Sequence, residues 1–214
     1  MTGLILKDFI NLKKYLRILL LIVIFYAVIY IPKGNADFIA SFLIFLGAMP
    51  VMSTISIDDN SKWNSYASTM PIKRTDIVLS KYILMMIFIL CSGLFCFTLL
   101  TVADKLNNSF NLERILLITL ASTCLGLIYD SINIPIVFKL GSEKARLIMM
   151  LVLFIPFGIT LFLSKTLEKS TITSLINIIN SYQSVLPIIV IGATILIVVS
   201  SYFISANIFA KKEF

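Results

Sequence analysis

Six apolar runs dictate what this chain can fold into: about residues 16–31, 38–57, 82–103, 115–138, 147–164 and 185–209. A helix needs roughly 20 residues to cross the hydrocarbon of a bilayer. No backbone N–H or C=O can stay unpartnered in that solvent, so such runs fold as spanning helices packed into a bundle. The first run is short and can borrow a turn from the segment before it. Of the 214 residues, 59% are apolar and 14% charged, where a soluble domain carries about 45–50% and about 25%. The expectation is one all-α integral membrane domain, residues 1–214, with six transmembrane helices. The first run is read as a span and not as a signal peptide, because no small-residue cleavage pattern follows it and five more spans do.

Lysine and arginine placement orients the bundle. With the N-terminus inside, the inner segments hold Lys7, Lys13, Lys14, Arg17, Lys62, Lys73, Arg74, Lys81, Lys139, Lys144, Arg146, Lys211 and Lys212, thirteen of the eighteen basic residues. The outer segments keep Lys33, Lys105, Arg114, Lys165 and Lys169. This bias follows the positive-inside rule and places both termini in the cytoplasm. The net charge of +7 is then an orientation signal favoured by anionic inner-leaflet lipid, and it requires no nucleic-acid partner.

Three stretches interrupt the apolar pattern. In residues 1–17, Ile5, Phe9, Leu12 and Leu16 fall at helical spacing with Lys7, Asn11 and Lys14 opposite, which predicts an amphipathic elbow helix in the inner headgroup plane. Residues 168–184 repeat the pattern with Ile172, Leu175, Ile176 and Ile179 and predict a short outer helix at about 170–182. The longest polar island, residues 58–82, contains the only tryptophan. Here Trp63, Tyr66, Ala67 and Met70 stand at i, i+3, i+4 and i+7, after Asp58, Asp59, Asn60 and Ser61 as N-cap candidates and before Pro71 as a stop. The spacing predicts a cytoplasmic helix of roughly ten residues, about 15 Å long, with Thr75 or Asp76 capping the span after it. Its aromatic stripe suits either an interfacial anchor or a helix docked in a partner's groove.

Catalytic chemistry is hard to find in the chain. There is no histidine, so the commonest general base and metal ligand is missing. Cys91, Cys96 and Cys124 lie in apolar runs without zinc or disulfide spacing. No G-x-x-x-x-G-K-[ST], H-E-x-x-H or G-x-S-x-G occurs. No cofactor or metal is expected in this chain. Within the spans Asp130, followed by Ser131 and Asn133, is the clearest polar group and a candidate for a transport path. Its structural alternatives are a cap on a helix break before Pro135, or a pairing with Lys139. Pro135, Pro156 and Pro187 are positions where a span could kink.

The order W-x-x-Y-A-x-x-x-P-x-x-R-x-x-I-V-x-S-K-Y, formed by Trp63, Tyr66, Ala67, Pro71, Arg74, Ile77, Val78, Ser80, Lys81 and Tyr82, resembles the ABC-2-type exporter permeases. The similarity is to their small six-span branch, which includes exporters of phenol-soluble-modulin-like and antimicrobial peptides. The stretch NIPIVFKLGSEKAR, residues 133–146, is similar to that branch's element between spans four and five. The resemblance implies two paired permease subunits, identical or sister chains, in a bacterial-type plasma membrane. It also implies separate ATPase subunits that hold ATP and Mg. Residues 59–71 would be the coupling helix, docking through Asp59, Lys62, Trp63, Tyr66, Ala67, Met70, Pro71 and Arg74. Gly141, Ser142, Glu143 and Lys144 would make a second cytoplasmic contact. The implied activity is export of an amphipathic peptide or other hydrophobic substrate. An ion- or proton-coupled carrier and a non-transporting assembly or immunity subunit are the alternatives.

Overall fold

The computed structural model describes residues 2–30, 36–67, 69–107, 110–166 and 185–212. Seven helices and no strands occur among them: α1 (Thr2–Tyr30), α2 (Ala36–Asn60), α3 (Trp63–Ala67), α4 (Arg74–Leu106), α5 (Leu112–Leu140), α6 (Ser142–Thr166) and α7 (Leu186–Ala210). Among the described residues four helices are long and apolar enough to cross a membrane: Phe42–Asn60 of α2, α4, α5 and α7. The spans expected at 16–31 and 147–164 fall within α1 and α6, parts of which lie outside the described side chains. The helix expected at 170–182 lies outside the described residues altogether.

Outward-facing apolar residues mark the solvent this fold is built for. Leu94, Leu125, Leu147 and Leu196 are each about 70% exposed, a cost in water and none in lipid. The interior is held by close packing, since burial of apolar surface drives little helix association in a bilayer. At Gly47 an added Cβ would lie 2.5 Å from Ser92 Oγ, and at Gly93 it would lie 2.7 Å from a Thr123 methyl. The α2, α4 and α5 backbones therefore meet across seams that admit no larger side chain. The central helix is α5, packed against α2, α4, α6 and α7, while α1 lies on α2 and α4 and α6 packs mainly on α5.

Two local expectations are corrected. Residues 1–17 are not a separate elbow; α1 is a single helix from Thr2 to Tyr30. Its buried register explains the continuity: Leu4, Asp8 and Leu12, one helical turn apart, all face the core. The polar island is also partitioned differently. The α2 helix continues through Asp58, Asp59 and Asn60, so these residues close α2 and do not open the next helix. Lys62, with φ 52, turns the chain in the left-handed region, where helices commonly end. The α3 helix has only five residues and stops four positions before Pro71. The α4 helix begins at Arg74 after Lys73, with no side-chain cap from Thr75 or Asp76.

Candidate functional site at the polar end of the bundle

The C-terminal turn of α2 gathers the bundle's charges. Its buried face runs Val51, Thr54, Ile55, Asp58, so helical spacing carries an aspartate into the position of the next core residue. The same happens on α1 with Asp8 and on α4 with Lys81, which lies between buried Ile77, Val78, Leu84 and Met85. Lys81 is 2% exposed. Its Nζ donates to Asp58 Oδ2 at 2.6 Å and to Asp8 Oδ2 at 2.8 Å. Lys7 Nζ donates to Asp58 Oδ1 at 2.6 Å and stands 3.2 Å from Asp8 Oδ1. Each lysine thus meets both aspartates, and the result is a closed, neutral square joining α1, α2 and α4. Neutrality is what makes it tolerable, because an unpaired charge at this burial would cost several kcal/mol (~3–5 kcal/mol).

The square has one partly open corner. The Lys7 side chain is 23% exposed, and the Trp63 ring covers it with its centroid 4.5 Å from Nζ, a cation–π arrangement. Trp63 belongs to α3, so this segment is in direct contact with the charge square. Ala67 and Asn64 also face inward, whereas Tyr66 is 58% exposed. The apolar stripe expected on one side of the short helix is therefore divided. Trp63 and Ala67 serve this chain's own packing, and Tyr66 points away, with its ring centroid 5.5 Å from that of Trp63. Gly3, Lys7, Trp63, Met70 and Pro71 line a cavity of about 390 Å³ beside it. Trp63 Nε1 is buried with no hydrogen-bond acceptor among the described residues.

Asp59, one residue after Asp58, turns to another helix. Its Oδ2 accepts from the backbone N–H of Ser142 at 2.9 Å, and its Oδ1 from Asn64 Nδ2 at 3.4 Å. The first bond satisfies an orphan donor at the start of α6 and sets a negative charge against its N-terminus. Gly141 makes the turn into α6 with φ +80, a conformation that costs other residues dearly. The two stretches expected to face the cytoplasm, 59–71 and 141–144, are thereby joined. Glu143 and Lys144 are exposed next to them.

Arg74 is engaged from the other side. Its Nη1 donates to the carbonyls of Ala210 at 2.8 Å and Lys212 at 3.0 Å, satisfying acceptors at the end of α7. Lys212 Nζ donates to the Phe138 carbonyl at 3.1 Å, near the end of α5. Lys62 and Pro71 are exposed and Met70 is half-buried. Every helix whose end meets this face is tied to a neighbour by a charged side chain.

Asp130 lies elsewhere. It is 0% exposed on α5, and among the described residues neither of its oxygens has a hydrogen-bond partner. Ser131 Oγ and Asn133 Oδ1 are buried and unpartnered in the same sense. Neither structural alternative offered by the sequence holds. The α5 helix runs unbroken through Pro135, and no ion pair joins Asp130 to Lys139, which is exposed. Around this level α4, α5 and α7 are linked by hydroxyls. Tyr82 Oη bonds Ser201 Oγ at 2.6 Å and Ser205 Oγ at 2.9 Å, and Ser201 Oγ donates to the Ser131 carbonyl.

Sequence reasoning found Asp59, Trp63 and the 141–144 turn but missed the charge square. The available signal was register: Asp8, Asp58 and Lys81 each occupy a position where the flanking turns carry core residues.

An all-helical chain with four described spans and a polar end knitted by charge is a multi-pass membrane protein. The family model described as "ABC-2 family transporter protein" matches residues 3–210, nearly the whole chain, and the protein belongs to that family. It is a membrane component of a transporter. No curated protein and no solved structure matches it.

Proposed function

We propose that the chain is a six-span permease subunit of an ATP-driven exporter, paired with a second permease copy or a sister chain, with both termini in the cytoplasm. Separate ATPase subunits would supply the ATP and Mg chemistry and dock on residues 59–71, with Gly141, Ser142, Glu143 and Lys144 as the second contact. The observation that carries this reading, beside family membership, is the wiring of two consecutive residues. Asp58 holds α1 and α4, and Asp59 holds the start of α6, so a push on α3 reaches four helices through one turn of α2. A short polar lever needs that kind of rigid attachment to pass a displacement inward. The free energy for the change comes from contacts that differ between the two states, supplied by the ATPase partner.

Within the lever, exposed Tyr66 is the residue best placed to enter a partner, and the cavity beside Trp63 can receive a partner's side chain in return. Asp130, Ser131 and Asn133 are the candidates for a polar position on the path of an amphipathic peptide or other hydrophobic substrate. Tyr66→Ala should weaken capture of the cognate ATPase subunit in mild detergent by roughly ten-fold or more, with membrane insertion and thermal midpoint unchanged. Unchanged capture would reassign Tyr66 to the interface as an anchor. Trp63→Ala is the less clean variant, because it also uncovers Lys7.

A further inference from the structure

Two adjoining cavities of about 280 and 340 Å³ lie between α2 and α6, sharing Met52, Ser53, Arg146 and Met149 in their walls. They form one groove with a strong polarity gradient. At the end near α3 it is lined by Ser56 and Ser142; toward the middle of the bundle it is lined by Phe45, Met49 and Phe154. Arg146 stands at the junction. Among the described residues it has no carboxylate partner, in contrast to Lys7 and Lys81, which are fully neutralised. From Arg146 to Phe154 the helix rises about 12 Å, close to the depth of one leaflet of a hydrocarbon core roughly 30 Å thick. The groove is therefore one leaflet deep and apolar inside, with an unpaired cation at its interfacial mouth. The methionines in its wall adapt to flexible chains better than branched residues do.

We infer that this α2–α6 groove is a binding site for one anionic phospholipid of the leaflet nearest α3, its acyl chain along Met49, Met149 and Phe154 and its phosphate on Arg146. Charge complementarity at the mouth and the length of the apolar part select that occupant. A guanidinium can meet two phosphate oxygens at once. The inference rests on the reading that the α3 end of the bundle lies at the inner membrane face.

The test uses the full-length protein in detergent, titrated with phosphatidylglycerol or with phosphatidylcholine of the same chains and read by native mass spectrometry. Wild type should retain phosphatidylglycerol preferentially. Arg146→Gln should weaken its retention roughly five-fold or more, Arg146→Lys should keep most of it, and Met149→Trp should reduce it by filling the groove. Lys14→Gln, an exposed cation of α1 outside the groove, should leave it unchanged. Equal retention of the two lipids, or equal weakening in Lys14→Gln and Arg146→Gln, would overturn the site. So would binding of oleate in place of phosphatidylglycerol. The thermal midpoint of each variant separates lost binding from lost fold. Labelling of a Ser65→Cys variant by an impermeant thiol reagent from one side of the membrane reports orientation separately, so an inverted topology and an absent lipid site give different results.

Discussion

The charge square at the polar end and the Asp130 shell in α5 both place carboxyl groups where a helix would otherwise carry core residues. They are solved in opposite ways. Asp8 and Asp58 are each met by two lysines from neighbouring helices, whereas Asp130 has only hydroxyl and amide groups around it and no partner among the described residues. The first arrangement is a fastening: its charges cancel, and removing one member strands the others. The second is a group held out of water without compensation, which structural stability alone does not reward. A buried acid that contributes nothing to holding the bundle has its explanation in what the bundle does, which is why Asp130 stays a candidate for the transport path.

The sharpest way to break this comparison is Lys81→Met. It leaves two buried aspartates facing one half-covered lysine and should cost about 3–5 kcal/mol, read as a large fall in the thermal midpoint in detergent. The double variant Asp8→Leu with Lys81→Met keeps the Lys7–Asp58 pair and should recover most of the loss. Additive loss in the double variant would mean the four groups do not act as a unit. An intermediate effect is expected from Tyr82→Phe, which removes the hydroxyl shared with Ser201 and Ser205. It should cost about 1–2 kcal/mol in the same melt and loosen α7 from α4, visible as faster backbone hydrogen exchange in 198–208. The smallest effect belongs to Asp130→Asn. Keeping the shape and removing the charge should leave stability within about 1 kcal/mol of wild type, while export by the assembled transporter falls. A melt as damaged as that of Lys81→Met would place Asp130 among the fastenings; unchanged export would remove it from the path.

Much of the architecture was legible because a membrane enforces a simple rule. Long apolar runs had to become helices, and α2, α4, α5 and α7 carry four of the predicted spans. The polar island was visible as a break, and its link with 141–144 followed from the family resemblance. The local reading went astray wherever a charged side chain found a distant partner. Asp58 and Asp59 looked like N-caps for the helix after them, since acids before a polar helix usually are. Their carboxylates instead bind Lys81, Lys7 and the start of α6, residues 23 to 83 positions away, and that pairing extends α2. The supposed elbow at 1–17 failed for a related reason: Asp8 looked like part of a wet face, but it is neutralised in the core, and α1 continues without a bend in register. Trp63 was correctly singled out. Its nearest cation, Lys7, is 56 positions away and no spacing rule connects them.

The seams at Gly47 and Gly93 constrain how such a molecule can move. A side chain on either glycine would collide at 2.5 to 2.7 Å with the facing helix, so the bumps on one backbone are seated in hollows of the other. Helices meshed like this cannot slip along each other by a turn without driving bulk into the gap. The α2–α4–α5 trio thus behaves as a chassis, and any alternation between two shapes falls to the parts bolted onto it: α1 through its ion square and α6 through its single carboxylate clasp.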